Sequence, residues 1–145
     1  MGPNNERHIE TMDIVTEVIG TDITPIQPSR VPPNVKFEID DANQHWTLAD
    51  ESFDLIHARA LAGNILNWEK FYQEAYRCLK PGAWFKIQET SFDWRTQKGV
   101  IAEDSPMGQW NKVFQEGGKK TGRTLRIVDE DLQERLMKKV GSWMS

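Results

Sequence analysis

The order of apolar and polar positions along the chain predicts four β-strands. Short runs rich in β-branched and aromatic residues, bounded by acidic or turn residues, are typical of strands. Such runs occupy residues 17–22, 35–40, 53–59 and 84–89. The alternation of apolar and polar residues in the second run indicates a strand near a sheet edge. A Lys-Pro-Gly turn precedes the fourth run, and its glycine, Gly82, is free to adopt a positive φ.

Helical segments are predicted between and after these strands. Asn67 is a residue type that caps helices, and apolar side chains then recur at spacings of three and four. The stripe consists of Trp68, Phe71, Tyr72, Ala75 and Leu79. Two further helices are predicted around residues 107–121 and 129–140, and a brief helical turn at residues 24–27, where proline follows a capping threonine. Strands that alternate with helical segments favour an α/β domain with a mostly parallel sheet, whose ligand crevice lies at the carboxyl ends of the strands.

Composition and charge argue against several classes of protein. The 18 basic and 22 acidic side chains give a formal net charge of −4, so we expect no nucleic-acid partner. Cys78 is the single cysteine, which excludes an intrachain disulfide and a cysteine-based metal cage and indicates a reducing compartment. No stretch approaches the roughly 20 apolar residues of a membrane span, and residues 1–7 lack the apolar core of a signal peptide. We therefore expect a cytoplasmic or nuclear protein without a membrane partner or a metal site.

Five short runs of residues carry more information together than any one of them does alone. They are Val18–Pro28, Val31–Val35, Phe37–Ala42, His57–Arg59 and Leu79–Gly82. In this order and at these spacings they resemble the class I S-adenosylmethionine-dependent methyltransferases of fungal secondary metabolism, including the nuclear regulator type. The resemblance implies an incomplete Rossmann-like class I methyltransferase fold over residues 17–145, with residues 1–16 as an N-terminal arm.

The resemblance also implies a cofactor-binding role for three residues. In the family, the acid that ends the second strand binds the ribose hydroxyls of S-adenosylmethionine, because a carboxylate can accept from two neighbouring hydroxyls. Asp22 occupies that position, and Asp41 and Ala42 would lie beside the adenine. Alternatives stay open for the two acids, since Asp22 could simply cap the following turn and Asp41 could be a solvated loop residue.

The family's first strand and glycine-rich loop have no evident counterpart in this sequence. Only about 16 residues precede the strand that ends at Asp22, and Gly2 is their sole glycine. In the family the first strand lies between the second and the fourth, so its absence would leave unpaired backbone groups in the sheet. The gap could be filled by direct pairing of the neighbouring strands, by residues 8–16, or by another chain. We therefore expect a homodimer, which domain swapping could create.

These features lead to the hypothesis of a methyltransferase-like protein that no longer requires the cofactor. It would act on a small natural product as a cyclase, isomerase or pericyclic catalyst. His57 or His45 would move protons, and Arg59 would stabilise enolate charge. The substrate pocket would be lined by Trp46, Trp68, Trp94 and Trp110. A structural role suits His57 equally well, and a solvated loop position suits His45.

Two other functions stay open. The chain could be a methyltransferase that uses S-adenosylmethionine in a site rebuilt from two chains. It could also be a non-catalytic partner of a full-length methyltransferase, which would use an open sheet edge and exposed aromatic side chains as contacts.

Overall fold

The fold is described from a computed structural model, which covers residues 17–25, 27–28 and 30–143. The chain divides into two compact units between Thr47 and Leu48. Each unit contains one pair of parallel strands, so the predicted α/β class with parallel strands is confirmed. The segment predicted to form an N-terminal arm, residues 1–16, lies outside the described residues.

The first unit is built on two parallel strands, β1 (Val18–Asp22) and β2 (Val35–Ile39). Both were predicted to within one residue at either end. Their register places Asp22 opposite Ile39, and the amide of Asp40 donates to the carbonyl oxygen of Asp22 at 3.1 Å. The two strands therefore end side by side, and the residues that follow them share one carboxyl edge.

The helical turn predicted after β1 is not formed by the described residues of that segment. A bend follows the strand instead, because the Oδ1 atom of Asp22 accepts a hydrogen bond from the amide of Thr24 at 3.0 Å. An aspartate turn of this kind competes with helix formation for the same backbone groups. The prediction was therefore wrong for Thr24, Pro25 and Gln27, while Ile26 lies outside the described residues.

The second unit is built on another parallel pair, β3 (Phe53–Arg59) and β4 (Leu79–Gln88). The register shifts near the start of β3, where residues 80–83 bulge from β4. The predicted Lys-Pro-Gly turn forms this bulge, and Gly82 adopts a φ of +80° within it. β4 consequently begins before the bulge rather than at residue 84.

Three helices complete the second unit: α1 (Trp68–Cys78), α2 (Pro106–Thr121) and α3 (Leu132–Trp143). The predicted cap of α1 is confirmed, since the Oδ1 atom of Asn67 accepts from the amide of Lys70 at 3.0 Å. α2 agrees with the prediction to one residue, whereas α3 begins and ends three residues later than predicted. No helix in the described part of the chain is long and apolar enough to cross a membrane.

The core of the second unit is formed by the apolar side of α1, which packs against β4 and α3. The buried side chains of α1 are Trp68, Phe71, Tyr72, Ala75 and Cys78. The first four belong to the predicted stripe. The ring of Tyr72 meets that of Phe85 edge to face, with ring centroids 5.5 Å apart, a geometry that aromatic pairs prefer.

Replacing Asn67 by alanine should lower the free energy of unfolding by about 1 kcal/mol, because the amide of Lys70 loses its side-chain acceptor. Asn67→Asp keeps an oxygen at the same place and should retain most of the stability. Urea denaturation of the three proteins measures the difference. Equal midpoints for Asn67→Ala and the wild type would show that the cap does not stabilise α1.

Candidate functional site

The carboxyl edge of the first unit carries the three residues predicted to bind a cofactor, Asp22, Asp41 and Ala42, all of them half-buried. The Oδ1 atom of Asp22 is held by the amide of Thr24. Its Oδ2 atom accepts no hydrogen bond from the residues that the structure describes. A carboxylate held by one oxygen keeps a fixed orientation and can still accept from a hydroxyl group. Capping of the turn and ligand binding are therefore compatible at Asp22.

The loop after β2 is held by its own side chains. The Oδ1 atom of Asp41 accepts from the backbone amide of Asn43 at 2.9 Å and from its side-chain amide at 3.2 Å. The Nε1 atom of Trp46 donates to the carbonyl oxygen of Ala42 at 3.4 Å. Trp46 is buried and so anchors this loop, whereas the neighbouring His45 is exposed.

In the second unit, His57 and Arg59 lie two residues apart in β3 and therefore on the same face of the strand. The register places them opposite Lys86 and Gln88, and all four residues are exposed. The structure thus brings together two of the three predicted catalytic residues, while His45 belongs to the first unit. Lys86 was not predicted as a site residue, although the alternation of exposed positions in β4 could have indicated it.

Glu89 follows β4 and binds the loop that follows β3. Its Oε1 atom accepts from the amide of Leu61 at 2.7 Å, and its Oε2 atom accepts from the amide of Ala62 at 3.2 Å. Ala60 adopts a φ of +56°, which is uncommon for a residue with a Cβ. Successive amides next to a left-handed residue form a concavity that binds anions. Glu89 was missed as a site residue, although it is the last residue of the predicted strand 84–89 and so lies at a carboxyl end.

The same loop is held from its other side by the segment before α3. The amide of Gly63 donates to the carbonyl oxygen of Thr124 at 3.0 Å. Gly63 has a φ of +80°, and a Cβ there would lie 2.5 Å from the side chain of Leu125. Only glycine fits this position without displacing Leu125. The loop is therefore fixed at both of its sides.

Trp94 and Trp110 belong to two segments that are bonded to each other. The side chain of Asn111 accepts from the amide of Trp94 at 2.7 Å and donates to its carbonyl oxygen at 3.0 Å. The Nε1 atom of Trp110 donates to the carbonyl oxygen of Phe92 at 3.3 Å, and its ring packs against Phe114. Both indoles are exposed. The structure thus places these two predicted pocket residues on neighbouring, firmly anchored segments.

Two ion pairs fix the segment that contains Trp94. The Nε atom of Arg126 lies 3.1 Å from the Oδ2 atom of Asp93. The carboxylate of Asp129 accepts from the hydroxyl of Ser91 at 3.0 Å and pairs with Arg95. The Asp129 side chain is only 2% exposed, and a carboxylate so deeply buried requires such partners.

Trp68, the fourth predicted pocket residue, lies in the core, where its ring is 5.4 Å from that of Phe71. Its Nε1 atom and the hydroxyl of Tyr72 have no hydrogen-bond partner among the described residues. Burial raises the pKa of the Tyr72 hydroxyl, and the negative charge of Glu89 raises that pKa further. The described residues contain no group of three or more histidine, cysteine or acidic side chains that could hold a metal ion.

A comparison with solved structures defines the class of fold. A SAM-dependent methyltransferase, possible histamine N-methyltransferase, from Thermotoga maritima is similar to the chain with a TM-score of 0.51 and 17% identity. The match covers 94% of this chain and 69% of that protein. The parallel strands and flanking helices thus form part of a Rossmann-like methyltransferase fold, as predicted.

The methyltransferase domain family matches residues 2–141, and the chain belongs to this family. Methyltransferase pytC of Aspergillus terreus is 34% identical over 108 residues, which are 74% of this chain and 33% of that protein. The secondary metabolism regulator laeA of Aspergillus niger is 42% identical over 115 residues, or 79% of this chain and 30% of laeA. The regulator LAE1 of Cochliobolus heterostrophus is 38% identical over 96 residues, or 65% and 31%. The chain spans about a third of the length of these relatives.

The raised pKa of Tyr72 should make the protein less stable at alkaline pH. Above the ordinary tyrosine pKa of 10.0 the unfolded chain releases this proton while the folded chain keeps it, so the free energy of unfolding falls as pH rises. Tyr72→Phe should flatten this dependence and, at pH 7, should leave stability unchanged or higher. Urea unfolding at pH 7 and above pH 10 measures both effects. Tyr76→Phe, at an exposed position, is the control, and an equally steep loss in Tyr72→Phe would contradict the prediction.

The carboxylate of Glu89 should control the exchange of two amides. In Glu89→Ala, the amides of Leu61 and Ala62 should exchange with deuterium about tenfold faster, because a net hydrogen bond to a charged group contributes about 1.5 kcal/mol or more. Added acetate should restore part of this protection, whereas chloride at the same ionic strength should not. Glu116→Ala removes an exposed acid and is the control. Unchanged exchange at both amides would contradict the role of Glu89.

Proposed function

We propose that the chain is a methyltransferase-type protein of fungal secondary metabolism whose first unit binds the nucleoside part of S-adenosylmethionine. The observation that carries this proposal is the state of Asp22, which ends β1 at the carboxyl edge. One oxygen of its carboxylate is fixed by the amide of Thr24, and the other has no partner among the described residues. Ligands of parallel α/β proteins bind at this edge.

The residues at this edge fit a nucleoside. The carboxylate of Asp22 would accept from the two ribose hydroxyls, and Asp41 and Ala42 would border the adenine. The hydrogen bonds of Asn43 and Trp46 fix the loop that carries these two residues, so it requires little ordering on binding. When bound, S-adenosylmethionine supplies an activated methyl group, which this chain's residues would only hold and orient. The similarity to pytC and to the laeA regulators supports a place in secondary metabolism.

A small natural product is the class of substrate that suits the second unit. The exposed indole of Trp94, on its anchored segment, can stack on a planar ring. His57, Arg59 and Lys86 provide a group for proton transfer and two positive charges on one face of the sheet. The same face favours the second candidate function, a cofactor-independent cyclase or isomerase. The two functions differ in whether the first unit binds the cofactor.

We further propose that the chain forms a homodimer. Among the described residues, each sheet has only two strands, and an isolated pair of strands has marginal stability. A second copy can pair with the free edge of such a sheet or pack on its face. Either contact can form with or without the exchange of segments between the copies. A full-length methyltransferase is the alternative partner.

Calorimetric titration with S-adenosylhomocysteine tests cofactor binding by the first unit. Asp22→Asn keeps an acceptor for the amide of Thr24 but loses the negative charge that favours the ribose hydroxyls. We expect about tenfold weaker binding, since a hydrogen bond to a charged group contributes about 1.5 kcal/mol or more. Asp22→Ala should bind more weakly still, because it also loses the turn.

Glu38→Gln is the matched control for this titration, because it removes one exposed acid from β2 with the same change of charge. Its affinity should equal that of the wild type. A wild type that gives no heat with S-adenosylhomocysteine would overturn the cofactor proposal and leave the cofactor-independent function. If Asp22→Asn binds as tightly as a wild type that does bind, the role of Asp22 is contradicted, while the cofactor proposal itself stands.

A further inference from the structure

The β3–β4 sheet is covered on one face and exposed on the other. Phe85 in β4 packs against the aromatic side chains of α1. On the opposite face, Leu55 lies beside Trp84 in the register, and these residues are 54% and 76% exposed. Parallel sheets of globular proteins are almost always covered on both faces. The exposed face therefore has the character of a surface that another element covers.

α2 carries the complementary feature, an exposed apolar stripe. Met107, Trp110 and Val113 follow one another at a spacing of three residues and so lie on one side of the helix. All three are exposed, and Val113 is 66% exposed. Helices with an apolar side are the elements that cover the faces of parallel sheets.

We propose that α2 of a second copy of this chain covers the exposed face of the β3–β4 sheet. In a dimer with twofold symmetry the exchange is reciprocal, so each copy gives its helix to the sheet of the other. This pairing rests on the homodimer proposed above, whose contact surfaces would be α2 and the exposed face of the β3–β4 sheet. It does not depend on whether the first unit binds the cofactor.

Charge and length support this pairing. The sheet face carries Arg59 and Lys86 near its carboxyl end, while Asp104 is exposed just before α2. Arg59 and Leu55 are separated by about 13 Å along a strand that rises 3.3 Å per residue. Pro106 and Val113 are separated by about 10.5 Å at the helical rise of 1.5 Å, and Asp104 lies two residues before Pro106. The acid can therefore meet the positive charges while the apolar stripe of α2 covers Leu55.

This cover would change the surroundings of the predicted catalytic residues. His57 lies between Leu55 and Arg59 on the same exposed face of β3. A helix placed there excludes water, and electrostatic interactions are stronger where water is excluded. The second copy would thus take His57 out of bulk water and place an acid beside Arg59.

Size-exclusion chromatography with light scattering tests the pairing on the full chain. The wild type should be a dimer. Trp84→Glu on the sheet and Val113→Glu on the helix should each raise the dimer dissociation constant by at least about tenfold, equal to about 1.4 kcal/mol. Both positions are exposed, so neither change disturbs the core. Val100→Glu is the matched control, since this residue is 93% exposed and lies outside both surfaces.

Mixing the two variants makes the test specific. Each variant alone carries the altered residue at both helix-on-sheet contacts of its dimer. A mixed dimer instead combines both altered residues in one contact and keeps the other contact intact. The mixture should therefore recover dimers that neither variant forms alone.

Three results would overturn the proposal. A wild type that is strictly monomeric removes the dimer altogether. A dimer that tolerates both Trp84→Glu and Val113→Glu uses other surfaces, and the broader homodimer proposal survives. Two monomeric variants that stay monomeric when mixed show that α2 and the sheet do not contact each other.

Discussion

A parallel strand pair needs side-chain cover on two faces and hydrogen bonds on two edges. In the second unit, α1 supplies one of these covers through Phe71 and Tyr72, whose rings lie 6.4 and 5.5 Å from that of Phe85. The opposite face, with Trp84 and Leu55, stays exposed. The predicted catalytic residues of β3, His57 and Arg59, lie on this uncovered face.

The carboxyl edge of the second unit shows a second constraint, backbone strain that neighbouring contacts offset. Ala60 in the left-handed region costs roughly 1–2 kcal/mol relative to a right-handed conformation. The two hydrogen bonds to Glu89 and the bond from Gly63 to Thr124 oppose this cost. Strain that is held in this way is characteristic of ligand-binding edges.

Local patterns predicted the elements well, because strand runs and the stripe after Asn67 are periodic over several residues. The same reasoning failed after β1, since the side chain of Asp22 formed a turn that competes with a helix. The sequence did not predict which residues of the candidate site lie next to one another. Lys86 faces His57 only through the register of two strands, and Glu89 binds amides 27 and 28 residues away. Single residues carry no periodic signal for such distant contacts.

Methyl transfer and cofactor-independent catalysis make different demands on the two units. Methyl transfer would require a nucleoside site, and the carboxylate of Asp22, the proposed ribose contact, is oriented by its own turn. The proposed catalytic roles of His57 and Arg59 would gain from the exclusion of bulk water, because an exposed pair shares its charges with the solvent. Cover of the β3–β4 face would therefore favour either of the proposed chemistries. A second copy that covers this face would be part of the catalytic unit, and dimerisation would matter to activity even if no cofactor binds.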